Sequence, residues 1–499
     1  MAESVPPPAP GACGASADEG RGDMAGELTW LSTRELAARI AAGEVSAVEA
    51  VRDHLARIDE VNGELNAVIA LDAETALERA AAADAARAAG EPLGLLHGVP
   101  MTHKDSHAAA GLPTTWGSLL LRDAVAAEDC LPVARLKRAG VITTGKTNLP
   151  ELGAGSHTFN PLFGTTRNPY DRSRSAGGSS GGAAAVIAAG VQGSGDGSDM
   201  GGSLRTPGSF NSIVGFRPSN GRLPNVSPNP WSWMTQSGYM AREVGDVALL
   251  MQATAGPHPA GPGSIHEGGE VFDLPEFALG AAWEPGLADL RVGFSADLGG
   301  LVEVEPEVRA VVEGAAGVLA GLGAEVGAAA IDLRDADEVF RVQRAYDFFC
   351  GFGELAEAHP GGIKDFVAEN IELGRRLTAA DLRDRDRART RLAAAVHAFF
   401  ADHDVMVCTS SQVLPFDAEI EYPVAVNGVA MPDYLGWMRA ATLVSATGCP
   451  AVSVPGGFSA GGLPVGVQIV AAPGRDVELL RVAHAFEAAT GHGRRRPNL

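Results

Sequence analysis

Hydrophobic and polar positions follow two alternating periods along this chain. Ser32-Thr-Arg-Glu35 and Ser46-Ala-Val-Glu49 each place a serine three residues before a glutamate, the pattern of a capping box, and each predicts a helix start. After the second box, Val48, Val51, Leu55 and Ile58 recur at helical spacing, with Glu49, Arg52 and Arg57 on the opposite face. Residues 72–90, alanine-rich with alternating charge, predict a third helix, and Leu95 to Met101 predicts a strand that delivers Lys104. Pro132 to Ala139 reads as a helix closed by Gly140, followed by a strand from Val141 to Thr144. The apolar run Ala183 to Ala189 is two helical turns long, with Gly190 as its C-cap.

Further on, residues 245–270 read as a helix followed by a Pro/Gly-rich loop. A strand from Leu290 to Phe294 is followed by a helix opened by Pro306 and lined by Val308, Val311, Ala315, Leu319 and Leu322. Ala324 to Ala328 returns as a strand, which gives the order βαβ of an α/β protein. Arg375 to Arg391 alternates arginine and aspartate, the pattern of a solvated helical face. Val405 to Cys408, Val452 to Val454 and Val467 to Val470 supply apolar strands, and Asp476 to Ala489 a last helix.

Composition narrows the function classes. The 499 residues allow two or three domains or one large α/β domain. Lys and Arg number 39 against 61 Asp and Glu, a net charge of −22, which argues against nucleic acid and anionic membranes as partners. Cys13, Cys130, Cys350, Cys408 and Cys449 show no paired spacing, so neither a disulfide framework nor a zinc knuckle is indicated, and a reducing, cytoplasmic setting fits. Residues 1–26, rich in Pro, Ala, Gly and acids and without an apolar core, read as a disordered leader and not a signal peptide. No apolar run approaches the ~18 residues that span a bilayer.

The candidate chemistry lies in two glycine-rich serine clusters, Ser175 to Gly182 and Gly193 to Ser203, which flank the Ala183 to Ala189 run. Glycine at this density lets backbone N–H groups point at a ligand, as an oxyanion hole requires. A serine needs a base, and neither cluster holds a histidine; Lys104, in Gly98-Val-Pro-Met-Thr-His-Lys-Asp105, sits among core-like residues where burial would neutralise it. A Ser-Ser-Lys relay is then complete. Three other patterns carry less. His103 and His107 have a spacing that could hold a metal, but Lys104 stands where a zincin has glutamate. Gly140 to Thr147 matches the phosphate-binding G-x-x-x-x-G-K-T pattern, yet β-branched residues fill the positions that should be loop. Gly178 to Gly182 matches a nucleophile elbow around Ser180, but a polar stretch precedes it where a hydrophobic strand belongs.

Taken in order, Gly98-Val-Pro, Gly145 to Glu151, Asn168-Pro169, Gly177 to Gly182, Asp199 to Arg205, Gly215 to Pro218, Gly448 to Pro455 and Gly462 to Gln468 resemble the amidase signature family of serine hydrolases, over about residues 27–490. The resemblance implies an α/β fold, a single α/β/α domain over 27–499 with a mixed, twisted central sheet covered by helices. Variable, substrate-determining segments fall at about 225–290 and 335–440. It implies Ser203 as the acylated nucleophile, Ser179 as the bridging serine in a cis peptide, and Lys104 as the terminal base, with Ser180 as support. Backbone N–H groups of Met200, Gly201, Gly202 and Ser203 would hold the oxyanion. Asp199 and Arg205 read as a buried ion pair that fixes the loop. Gly153 and Gly155 leave room in the acyl pocket, and Phe159, Phe163, Trp231, Trp233, Tyr434 and Trp437 are candidate walls.

The expected activity is hydrolysis of a small neutral aryl or alkyl carboxamide, or a carbamate or ester, through a seryl acyl-enzyme, without cofactor or metal, by a monomer or a homodimer. A charged half-amide would need a cation such as Arg341 or Arg439 in the pocket. Two alternatives remain: the glutaminase subunit of a tRNA-dependent amidotransferase, whose pattern has Met-Asp at Leu149-Pro150, and a non-catalytic nucleotide-binding protein using Gly140 to Thr147.

Overall fold

A computed structural model describes residues 27–280 and 286–499; the predicted leader, 1–26, lies outside the described residues. Both predicted capping boxes form. Ser32 and Ser46 accept hydrogen bonds from the backbone of Glu35 and Glu49, whose carboxylates return to the serine N–H groups, and they open α1 (Thr33–Ala42) and α2 (Ala47–Leu65). On α2, Val51 and Ile58 are buried as expected, but the buried face also takes in His54, whose ring bonds the Val191 carbonyl and Thr144 Oγ1 at 3.1 and 2.9 Å. A satisfied polar ring can lie on an apolar face, and hydrophobicity alone does not register it.

Next come β1 (Val68–Leu71), α3 (Ala73–Ala88), β2 (Pro100–Lys104), α4 (Leu131–Arg138) and β3 (Ile142–Thr147). Strands β1, β3 and β2 form a small sheet in that order, with β2 and β3 parallel and β1 antiparallel to β3. The strand predicted from Leu95 begins five residues later, at Pro100, because Leu96 to Gly98 forms a turn; Lys104 is therefore its last residue and not a loop residue beyond it. Gly140 to Thr147 has no phosphate-cradling loop: β3 is the central strand of this sheet, and Lys146 is buried with its Nζ 2.6 Å from the His107 carbonyl.

The large sheet begins after α5 (Gly181–Ala188) with β4 (Ser194–Asp199). It continues, past α6 (Arg205–Phe210), with β5 (Val214–Arg217), β6 (Gln236–Ala241) and, past α7 (Val244–Thr254), β7 (Arg291–Phe294). Helix α8 (Pro306–Gly321) leads to β8 (Glu325–Ala328), and α9 (Ala336–Ala358), α10 (Asp365–Arg376) and α11 (Ala379–Asp402) lead to β9 (Val405–Thr409). Helix α12 (Arg439–Thr447), β10 (Ala451–Phe458), β11 (Pro464–Ala471) and α13 (Asp476–Thr490) complete the chain. Spatial order is β8-β7-β9-β11-β10-β5-β6-β4. The pairs β7–β8 and β7–β9 are parallel and the other five antiparallel, so this is a mixed α/β fold with helices around an eight-stranded sheet. The parallel β7-α8-β8 unit is the predicted βαβ order.

Helix α5 has no polar face, because it is buried on every side between β2, β4 and β6; Ala183 to Ala189 cluster with Leu65, Leu204 and Met240. Its small side chains let those strands approach closely, and the serine clusters at its two ends converge across the helix.

Candidate active site

Strand β2 ends with Lys104 pointing into the protein, and β4 runs past it with a polar residue at every second position. Ser194 meets Thr33 Oγ1 at 2.7 Å, Asp196 meets the Lys104 N–H at 2.8 Å, and Ser198 Oγ lies 3.1 Å from Lys104 Nζ. A period of two puts these three on one face of β4. The helix-end cluster supplies two more contacts: Lys104 Nζ lies 2.8 Å from Ser179 Oγ and 2.9 Å from Ser180 Oγ. Every hydrogen-bond partner of Lys104 Nζ among the described residues is a neutral oxygen. Burial pushes the Lys104 amine down to about 7, against the attraction of Asp199 and Asp196.

Ser179 follows a cis Gly178–Ser179 peptide bond. The Ser180 N–H donates to the Ser203 carbonyl at 3.2 Å, which ties the first serine loop to the second. Ser203 sits in the turn between β4 and α6, shaped by Asp199. The Asp199 carboxylate accepts the N–H groups of Gly202 and Leu204 at 2.8 and 3.1 Å and the Nε and Nη2 of Arg205 at 3.0 and 2.9 Å. Arg205 continues to Gln468 Oε1 and Ser445 Oγ, both at 2.6 Å. Burial opposes ionisation of Asp199, but Arg205 and Arg217 outweigh it and hold the carboxyl well below its ordinary range. The Asp199–Arg205 ion pair is therefore present and fully buried.

Of the four N–H groups expected to face an oxyanion, that of Gly202 is already taken by Asp199, so it is not available. Those of Met200, Gly201 and Ser203 have no acceptor among the described residues. Gly202 has φ +110°, and a Cβ there would lie 2.6 Å from that of Ala441, so only glycine fits this turn.

The segment Glu151 to Gly155 borders the serines on another side: a Cβ at Gly153 would lie 4.0 Å from Ser179 Oγ, while a Cβ at Gly155 would meet Phe366. Glu151 anchors the segment through Ser118 Oγ and the Lys364 N–H. Leu152, Ala154 and Phe348 are buried together here, with Trp116 and Met200 packed against them. Phe159, Tyr434 and Trp437 line a small pocket next to Gly155, but so do Lys364 and Glu421, paired at 3.1 Å, so that wall is not uncharged as expected. Trp231 is 77% exposed, Trp233 stacks under Arg389, and Phe163 lies by Asn66; none of the three joins this wall. Arg341 and Arg439 are both ion-paired, Arg341 with Asp337 and Asp433 and Arg439 with Asp337.

Asp196 and Ser198 escape the sequence reading, although the alternation Ser194, Asp196, Ser198 points to them. Asp196 also explains the two histidines. His103 Nδ1 lies 2.5 Å from Asp196 Oδ2 and its Nε2 3.0 Å from Thr143 Oγ1, so both its nitrogens are engaged. His107 Nδ1 lies 3.3 Å from the other Asp196 oxygen but out of line for a hydrogen bond. Burial would raise the Asp196 carboxyl, yet the two imidazoles hold it well below its ordinary range.

Residues 49–480 match the Amidase family. The chain is 35% identical to an acylamidase of Rhodococcus erythropolis, over 94% of this chain and 98% of that protein. It is also 35% identical to a glutamyl-tRNA(Gln) amidotransferase subunit of Moorella thermoacetica, over 95% and 99%. The solved structure of a bacterial aryl acylamidase of the amidase signature enzymes superposes with a TM-score of 0.86 at 27% identity, covering 94% of this chain and 98% of that one.

Proposed function

The chain belongs to the Amidase family and is an amide-hydrolysing enzyme, and from that premise we propose an acyl-enzyme mechanism on Ser203, with Ser179 and Lys104 as its proton relay. The observation that carries this reading is the buried amine of Lys104 within 2.8 Å of Ser179 Oγ, surrounded by neutral oxygens. Neutral Lys104 accepts the Ser179 proton as Ser179 accepts that of Ser203, and Ser203 Oγ bonds to the amide carbon. The carbonyl oxygen becomes an oxyanion held by free N–H groups of the Met200 to Ser203 turn. The C–N bond then breaks, the amine leaves with the proton returned through Ser179, and water activated by the same relay hydrolyses the ester to a carboxylic acid.

The segment directly beside the scissile carbonyl is an uncharged aryl or alkyl one, and carbamates and esters fall within the same chemistry. Supporting this are the apolar surroundings of Leu152, Ala154 and Met200 and the likeness to an acylamidase and an aryl acylamidase. A kcat/KM comparison of an acyl anilide with a malonamate at one pH should favour the anilide; a roughly tenfold preference for malonamate would withdraw this assignment.

The equal identity to an amidotransferase component supports a second reading, that of a glutaminase working within a complex. An assay of the purified chain decides between them: release of aniline from an acyl anilide is expected. Ammonia from glutamine with the anilide untouched would transfer the site to that reading.

A further inference from the structure

Arg344 is a buried cation that no carboxylate among the described residues pairs with. It lies on the face of α9 that covers the nucleophile turn. One turn earlier, Phe340 is the side chain that a Cβ at Gly201 would strike at 2.8 Å; one turn later, Phe348 lies 4.1 Å beneath the guanidinium. Arg344 is 5% exposed. Its Nη1 reaches Met200 Sδ at 3.2 Å, and its Nε and Nη2 both reach the Tyr434 hydroxyl, at 3.0 and 2.8 Å. Asn370 Nδ2 donates to the same hydroxyl at 3.1 Å. One neutral phenol oxygen thus takes three N–H groups, and a thioether, a weak acceptor, takes a fourth.

The absence of a counter-ion stands out against the neighbouring arginines. Arg341 and Arg439 each meet a carboxylate, whereas none of the described residues forms an ion pair with Arg344. Asp347, one turn along the same helix, is attracted by Arg344 and Arg385 without forming an ion pair with Arg344; it is engaged by Ser232 and Gln343 at 2.9 Å each, and burial pushes its carboxyl up to about 6. Lys364 and Glu421, beyond the stacked Phe366 and Tyr434 rings, are paired with each other. A guanidinium taken out of water is normally retained with an acceptor charge, and aromatic faces replace only part of that.

We propose that Arg344, with Asn370 and Tyr434, is the subsite for an anionic group, a carboxylate, carried by the substrate at the end remote from the scissile amide. The proposal rests on the Ser203 reading, because Met200 is what joins Arg344 to the nucleophile turn. The substrate is then amphipathic: its amide lies at Ser203, its apolar body runs along Met200, Leu152 and Phe348, and its carboxylate reaches the guanidinium, which can bind it in a bidentate way. The Tyr434 hydroxyl, relieved of donors, can turn its own proton to the same anion.

The experiment compares ω-carboxyacyl anilides of stepped chain length, each against the alkanoyl anilide of the same length. At one length the acid should gain roughly tenfold or more in kcat/KM, mainly through KM, and in Arg344→Gln the ratio of acid to alkyl substrate should fall to about one whatever the absolute rate. Arg344→Lys should restore part of the ratio. A second measurement needs no variant: methyl ketones bearing a terminal carboxylate, which have no scissile bond, should inhibit the wild-type enzyme competitively, and the matching neutral methyl ketones far more weakly. No advantage for the acid at any length, an advantage that survives in Arg344→Gln, or equal inhibition by the keto acid and the neutral ketone would each overturn the subsite. Failure to cleave any anilide would strike at the proposed aryl or alkyl amidase activity instead.

Discussion

Ser203, Ser179 and Lys104 each make a separate experimental claim. Replacing Ser203 by alanine removes one hydroxyl from a glycine-rich turn held by Asp199 and Arg205, so the fold should survive, by circular dichroism and melting, while turnover is nearly abolished. Ser179→Ala should cost several orders of magnitude, since members of a relay fail as a unit. Above about a tenth of wild-type rate in either variant, that serine leaves the mechanism. Lys104 adds a pH signature. Its amine is pushed down to about 7, and only the neutral form accepts a proton, so kcat/KM should rise with pH through about 7 and then level off. Lys104→Arg keeps the charge but cannot deprotonate in this range, and should be inactive at every pH. A profile flat from pH 5 to 9 would remove Lys104 as the base.

At the level of elements, α5 holds the two serine clusters in register, so its ends matter more than its composition suggests. Gly190, just past its C-terminus, has φ +70°, and a Cβ there would lie 2.3 Å from the Trp30 ring. Gly190→Ala therefore adds left-handed strain of about 1–3 kcal/mol to a displacement of Trp30. That ring also carries Arg57, Arg242 and Arg496. Thermal or denaturant unfolding should show the loss, with residual activity falling in proportion to folded protein. A variant as stable as wild type would mean that Trp30 has room to move.

The whole molecule bears a net charge of −22, which disfavours binding of polyanions. Titration with tRNA at about 50 mM salt should show no binding, and tRNA with ATP should leave amide hydrolysis unchanged. Saturable binding under those conditions, or activity that appears only with added partner proteins, would favour the amidotransferase reading. Among the described residues no helix is long and apolar enough to cross a membrane.

By itself, the sequence determined what is local in chain distance: the capping boxes of α1 and α2, the βαβ unit around α8, the Asp199–Arg205 pair and the serine loops at the two ends of α5. These follow from spacing within a few residues, where backbone periodicity acts directly. Only the tertiary structure decided what depends on elements far apart in sequence meeting in space. Asp196 turned from an acid in a glycine run into the partner of Lys104 and His103 because β2 packs against β4. The Gly202 N–H was lost to Asp199 through the shape of one turn. Arg344, in a segment without family motifs, came to lie over Met200 because α9 crosses the nucleophile turn. Its lack of an ion pair among the described residues was invisible in a chain rich in carboxylates, since pairing depends on distances of a few ångströms and not on composition.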